Sequence, residues 1–322
     1  MIRWSPFPLP KQPLPTLRPG CLPAVQPLEQ PDLSIVIVHH RLPWPLVREC
    51  LEAIGRGRGG LRCQVILVDQ GPIGERPAWL AAGFDWVAVI ADRSDRGYAV
   101  SNNLGLRHAT GRYLLLLNDD VALPATAMPA FVAWMDAHPR AGYAGPRLVL
   151  PDGHLDRACR RTFPTPIVSL YRLSGLASLF PASPIFGRYN LTYRPADQTG
   201  RVDAVVGACM LVRRRAAEQV DLLDETYFMY GEDLDWAYRL QGAGWEGWYL
   251  ADVVALHAKG ASSKHRRRRT TYEFYRAMVI FYRRHYAAGA PWPVTGLVLT
   301  GIFWRGTVAI LSAWFAPTQS AP

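Results

Sequence analysis

"GRYLLLLNDDVAL", residues 111–123, decides how the chain is read. Four consecutive leucines, Leu114 to Leu117, mark a strand buried on both faces. They run into Asn118, Asp119 and Asp120, and the apolar pattern resumes at Val121. Adjacent carboxylates repel, and a desolvated charge is costly unless something pairs with it. Either a cation meets these acids at the strand end, or they hang in solvent as a turn.

Working outward, "LSIVIVHH" (33–40), "CQVILVDQG" (63–71) and "WVAVIAD" (86–92) read as further strands of the same kind. "LVRECLEAI" (46–54) and "YAVSNNLGLRHA" (98–109) have helical spacing between them, and a glycine-rich stretch at 55–60 ends the first. Strands alternating with helices imply an α/β fold with a mostly parallel sheet, whose ligand lies beyond the carboxyl ends of the strands. Asp69, Asp92 or Asp95, and Asp119–Asp120 all follow strand ends, so they converge on one edge. Beyond Pro146 the pattern loosens into a Pro-, Arg- and aromatic-rich excursion over 151–200. A strand over 202–214, an aromatic loop, a helix opening on Glu232, Asp233 and Asp235, and a last strand ending on His257 complete the domain.

With 322 residues, 49% hydrophobic and 19% charged, the chain can bury a substantial core. Five scattered cysteines with no C-x-x-C pair argue against a disulfide framework or a zinc site and favour a reducing compartment. Residues 1–31 are proline-rich and read as an extended arm without a secretory apolar region. The net charge of +10 points to an anionic partner.

A strand-end Asn-Asp-Asp beside companion acids suits a hard cation, Mg²⁺ or Mn²⁺, shared with substrate phosphates. Four blocks then resemble the family-2 glycosyltransferases of the GT-A fold, most closely the branch that includes bacterial rhamnosyltransferases. They are "LSIVIVHHR", "VILVDQG", "DRGYAVSNNLGLRHATGRYLLLLNDDVAL" and "VVGACMLVRRRAAEQVDLLDETYFMYGEDLDWAYRLQGAGW". A fifth, "HAKGASS", sits where that family carries His-x-x-Gly-x-Ser, and the resemblance spans roughly residues 32–286.

The resemblance implies a role for each matching position. Asp69 would accept from the ring NH of uracil or thymine, and Gly97 and Asn103 would shape the donor pocket. Asn118, Asp119 and Asp120 would form the metal motif, with Asp120 on the ion and His257 completing its shell. Asp233 would be the general base that takes the acceptor's proton. It further implies an inverting transferase using a dTDP- or UDP-sugar, with rhamnose a candidate sugar, and a glycan or lipid-linked acceptor. Four places depart from the family pattern: His39-His40-Arg41, Gln70-Gly71-Pro72, Asp95 where Asn is frequent, and Asp119 where Pro is frequent. On the residues alone, Asp69 also reads as a turn cap, and the acids at 232–235 as favourable company for a helix dipole.

These readings divide the chain into the arm (1–31), a GT-A domain (32–262, with a donor half to 145 and an acceptor half from 146) and a C-terminal extension (263–322). "KHRRRR" (264–269) carries no aromatic interleaving, and an acidic pocket would repel a polynucleotide, so no nucleic-acid partner is expected. The nearly apolar 293–316 has the length of a bilayer span but contains Arg305, which costs ~3 kcal/mol at a span's centre. It reads either as a helix at an anionic membrane surface, placing the chain on the cytoplasmic face, or as a helix packed on protein. Two other functions fit the composition: a sugar nucleotidyltransferase, for which a triphosphate loop after the first strand is missing, and a non-catalytic sugar-nucleotide or polyanion binder.

Overall fold

The computed structural model describes residues 30–40, 42–71, 75–258 and 267–315. Most of the N-terminal arm, Arg41, Pro72, the end of "HAKGASS", the start of the basic run and the last seven residues lie outside the described residues.

Nine strands are present among the described residues: β1 Leu33–His39, β2 Cys63–Asp69, β3 Val87–Ala91, β4 Tyr113–Asn118, β5 Val121–Ala122, β6 Ala141–Val149, β7 Gly200–Arg201, β8 Cys209–Arg213 and β9 Glu246–His257. The helices are α1 Trp44–Gly57, α2 Ala78–Gly83, α3 Tyr98–His108, α4 Ala127–Ala137, α5 Pro166–Leu173, α6 Leu176–Leu179, α7 Arg214–Val220, α8 Glu232–Gly242, α9 Arg267–His285 and α10 Trp292–Phe315. The sheet order is β3-β2-β1-β4-β8-β6-β9-β5, with β7 beside β9. Its first four strands are parallel, as the β/α alternation requires. The remainder is mixed, because β8 runs antiparallel to both β4 and β6.

Every residue of β1 is buried, and so are Tyr113 to Leu117 of β4, which explains their unbroken apolar runs. Helix α3 packs on β1 through Gly105, where a Cβ would collide with Val36. Parallel register then aligns the strand ends. His39 lies opposite Asp69, Val38 opposite Asn118, and the amide of Asp92 donates to the carbonyl of Asp69 at 2.9 Å. The acids read from sequence as convergent are therefore on one edge.

Two stretches differ from their sequence reading. β6 and α4 were not anticipated: Gly142, Gly145 and Pro146 interrupt the pattern of β6, and Pro129 falls inside α4. The strand expected over 202–214 narrows to Cys209–Arg213. Upstream, the Arg161 amide donates to Ala204, the Asp203 amide donates back to Arg161, and the Gly207 amide donates to the Asp233 carboxylate. This backbone serves a side-chain site instead of a sheet ladder.

Helix α9 packs against the domain. Ala277, Phe281 and Tyr282 are buried, Arg276 donates to the carbonyl of Thr226 at 3.0 Å, and His285 lies 2.7 Å from Asp235. Arg284 pairs with Asp224. Helix α10 rests on α9, where Gly306 meets Tyr275, and leaves Trp292, Leu297, Phe303 and Trp304 exposed.

Candidate functional site

A cleft of about 540 Å³ opens at the carboxyl edge of the sheet, within the roughly 300–1,000 Å³ of small-molecule sites. Asn118, Asp119 and Asp120 form one side, Gly207 and Asp233 another, and α9 contributes Glu273, Phe274, Ala277 and Phe281.

The two adjacent carboxylates are both buried, and each has its own basic neighbour. Asp119 accepts from His39 Nδ1 at 2.9 Å, so β4 is tied to the end of β1. Burial pushes the Asp119 carboxyl up, and His39 works against that rise. Beyond the turn, Val121 pairs with His257, and the amide of Ala258 donates to the carbonyl of Asp120 at 2.9 Å. This short ladder brings His257 Nε2 to 3.4 Å from Asp120 Oδ1, an oxygen with no hydrogen-bond partner among the described residues. The other ring nitrogen, Nδ1, donates to Asp156 Oδ2 at 3.0 Å. Asp156 was not singled out from the sequence: it sits in the loosely patterned stretch, 101 residues before its partner.

An orphaned carboxylate oxygen beside an imidazole nitrogen, with the second ring nitrogen held by a carboxylate, is the donor chemistry of a divalent ion. Among the described residues no group of three or more His, Cys, Asp or Glu side chains is gathered as metal ligands.

Asp233 is 5% exposed, and its contacts are specific. Oδ2 accepts from Arg161 Nη2 at 2.7 Å and from the Gly207 amide at 2.9 Å, and Oδ1 accepts from the Leu234 amide at 2.7 Å. A carboxylate offers about four lone-pair positions, so one remains for an incoming hydroxyl. Arg161 also escaped the sequence reading, for the same reason as Asp156.

The aromatic loop is held by backbone strain and close approach. Gly97 (φ +108°) leaves room for Phe228, and the Tyr98 amide donates to the Phe228 carbonyl at 2.7 Å. Tyr230 (φ +67°) and Gly231 (φ +86°) are both left-handed and turn the loop into α8. Asp95 is left-handed as well (φ +42°), a conformation that Asn and Asp tolerate best among side-chain-bearing residues. Asn118 accepts from the Tyr98 hydroxyl at 2.7 Å.

Two of the residues assigned from the resemblance stand off the cleft wall. Asn103 is buried and clamps Leu223, donating to its carbonyl at 2.8 Å and accepting from its amide at 3.0 Å. Asp69 is also buried: Oδ1 accepts from the Gly71 amide at 2.9 Å and Oδ2 from Arg76 at 2.8 Å. Its neighbour Gln70 reaches the cleft instead, and donates to Ser101 at 2.7 Å and to Asp92 at 3.2 Å.

Comparison with known proteins follows the same lines. The model of the family "Glycosyl transferase family 2" matches residues 34–221. An N-acetylglucosaminyl-diphospho-decaprenol L-rhamnosyltransferase of Mycobacterium tuberculosis is 29% identical over 215 residues, 62% of this chain and 67% of that protein. The low-salt glycan biosynthesis hexosyltransferase Agl10 of Haloferax volcanii is 26% identical over 65% of this chain and 61% of its own length. Among solved structures, the mannosyltransferase PcManGT of Pyrobaculum calidifontis, in complex with GDP-Man and Mn²⁺, superposes with a TM-score of 0.54 at 18% identity, covering 92% of this chain and 78% of that one. Residues 1–349 of S. aureus TarS give 0.53 at 11% identity, covering 90% and 75%. The GT-A architecture expected from the sequence is the one found.

The geometry around His257 has a consequence for stability. Burial opposes its charge, but Asp120 and Asp156 outweigh burial and push the imidazole up to about 9. The folded state thus holds the proton more tightly than the unfolded chain, whose histidine titrates near 6.5. The stabilisation is complete below that lower value and disappears as pH rises through about 9. Without added metal, His257→Gln should lower the melting temperature more at about pH 6 than at about pH 9.5. A deficit that is the same at both pH values would show that the histidine is not charged in this cluster.

Proposed function

The chain belongs to glycosyl transferase family 2, and we propose that it is an inverting, metal-dependent enzyme that moves a sugar from a nucleoside diphosphate to a glycan or lipid-linked acceptor in cell-surface polysaccharide synthesis. The observation that carries this reading is that the buried Asp120–His257–Asp156 cluster and the hydrogen-bonded Asp233 line one cleft. The mycobacterial relative is by name a rhamnosyltransferase, so dTDP-rhamnose is the first donor to test.

In this reading Asp120 and His257 would hold Mg²⁺ or Mn²⁺. A bound ion supplies charge neutralisation for the departing diphosphate. Asp156 fixes the ring so that Nε2 faces Asp120, the orientation in which that nitrogen could ligate an ion. Asn118 and Asp119 shape the edge against the donor, Gly97 lets the Phe228 loop close over it, and Asn103 secures that loop's base through Leu223. Asp69 receives the ring NH of a pyrimidine once Arg76, whose side chain is 39% exposed, swings away. Asp233 takes the acceptor's proton at its remaining lone-pair position, while Arg161 and the Gly207 amide fix its orientation. Residues 32–145 then act as a donor half and 146–262 as an acceptor half.

The donor reading is tested by calorimetry. dTDP and UDP should bind at least about tenfold more tightly with Mn²⁺ than with chelator, and both should outcompete ADP and GDP. Asp120→Ala should abolish the metal-dependent difference. Equal affinity with and without the ion would overturn the metal reading.

The catalytic reading is tested by Asp233→Asn, which preserves shape and removes the proton acceptor. Transfer should slow by roughly 10²–10⁴-fold with donor affinity little changed, while the melting temperature falls because Arg161 loses its buried counter-charge. Transfer at the wild-type rate would exclude Asp233.

The extension from 263 to 322 is proposed to hold the enzyme at the cytoplasmic membrane face. Support comes from Trp292–Ser312, 21 helical residues of mean hydropathy 1.6 that are mostly unburied. Flotation with anionic vesicles should be lost on truncation after residue 290, with dTDP binding retained. If the full chain ignores vesicles at low salt, α10 is a protein-packing helix instead.

A further inference from the structure

Glu232 is the first residue of α8 and follows the two left-handed residues Tyr230 and Gly231. That turn has no slack. A Cβ on Gly231 would come within 2.9 Å of the Tyr227 ring and 3.2 Å of Ala277, so loop and α9 together fix where the Glu232 side chain starts. The side chain is 6% exposed and lines the cleft, and its Oε2 has no hydrogen-bond partner among the described residues.

Its charged surroundings are unfavourable to an anion. Asp233 follows directly, and Asp235, two residues on, is paired with Arg239 and His285, each at 2.7 Å. Across the cleft α9 presents Glu273, which is paired with Arg276 at 3.0 Å. Among the described residues, the cation acting most on Glu232 is Arg161, and its guanidinium is committed to Asp233 at 2.7 Å and to the Val205 carbonyl at 2.6 Å. Of the other described cations lining the cleft, Arg172 stacks on Tyr189, Arg269 on Phe228 beside Asp95, and His257 lies between Asp120 and Asp156. The neighbouring phenols of Tyr98, Tyr227 and Tyr230 cannot compensate a negative charge. A buried carboxylate beside a second carboxylate, with no cation of its own, is costly, and a proton removes the cost. Burial, then the charge of Asp233, push the Glu232 carboxyl up to about 8. A neutral acid differs from a carboxylate in having an O–H to donate. The unpartnered oxygen therefore points to a ligand that accepts.

We propose that Glu232 is a protonated acid that donates a hydrogen bond to an oxygen of the acceptor sugar, a recognition residue beside the base and not a second base. The identity of the ligand rests on the glycosyl-transfer reading, whereas the proton on Glu232 does not. The acceptor is the partner selected because its attacking hydroxyl must approach Asp233, the next residue in the chain. The two adjacent acids would thus have opposite duties: Asp233 accepts a proton, and Glu232 lends one without releasing it. Their difference comes from Arg161, which serves only one of them.

The test uses the full-length protein with Glu232→Gln, which keeps a donor but cannot ionise, and Glu232→Ala, which keeps neither. An infrared spectrum of the wild type near pH 7 should contain the carbonyl band of a protonated carboxyl that is missing from Glu232→Gln and fades as pH rises through about 8. A prenyl-diphosphate-linked N-acetylglucosamine serves as acceptor probe and should move that band on binding. With dTDP-rhamnose as donor, Glu232→Gln should hold the probe's KM within about threefold, whereas Glu232→Ala should raise it roughly tenfold. Absence of the band, or a bound probe that does not shift it, overturns the proposal. So does a kcat loss of about 100-fold in Glu232→Gln, because that variant should fail only if the group works ionised. If Glu232→Ala does not fold, the band and the Glu232→Gln kinetics decide. A wild type that moves sugar from no nucleotide donor refutes the transferase reading, while the band still decides whether Glu232 carries its proton.

Discussion

Two neighbouring carboxylates buried at the end of one strand cannot share a single partner, and the rest of the site follows from that constraint. Asp119 is answered by His39 from the adjacent parallel strand. Asp120, on the other side of the turn, is answered by His257 from the far end of β9. The leucine strand is buried between β1 and β8, and its register with β1 sets Asp119 against His39, while β5 pairs with β9 to set Asp120 against His257. Charge that would otherwise unfold the strand end becomes the feature that joins the parallel half of the sheet to the mixed half.

The departures from the family pattern make sense as partners of one another. His39, where relatives have another residue type, contacts Asp119, which stands where relatives often have proline. His40 Nδ1 lies 2.9 Å from Gln70 Oε1, and Gln70 in turn donates to Asp92 and Ser101. Burial opposes ionisation of Asp92, but hydrogen bonds from Ser101, Ser94 and Gln70 hold its carboxyl below the usual range. Departures that looked independent along the chain thus fall into two sets of contacts, His39–Asp119 and His40–Gln70–Asp92–Ser101, at one edge of the sheet. Changing a single member would leave its partner buried and unsatisfied.

Helix α9 gives part of the basic surplus a local role. Arg269 stacks on Phe228 with its guanidinium 4.0 Å from the ring centroid and lies 3.5 Å from Asp95, at the rim of the cleft. Arg276 and Arg284 tie the helix to the 221–231 loop. The positive charge that sequence composition could only attribute to some anionic partner is in these cases spent on closing the acidic cleft from the C-terminal side.

The sequence by itself determined the α/β class, the first four strands, the edge on which their acids converge, and the family to which the blocks belong. It could do so because a strand buried on both faces must be continuously apolar, and because parallel strands end together. Asp156 and Arg161 were beyond its reach. Each acts through a partner 101 or 72 residues away, and no local period marks a loop residue whose value lies in a distant contact. The same limit hid the shortening of the strand before Cys209, whose backbone is drawn off by Arg161 and Asp233. Only the tertiary structure decided which of two adjacent acids at 232 and 233 received the guanidinium. Spacing along a helix fixes how near two side chains are to each other, but not which of them the rest of the fold will meet.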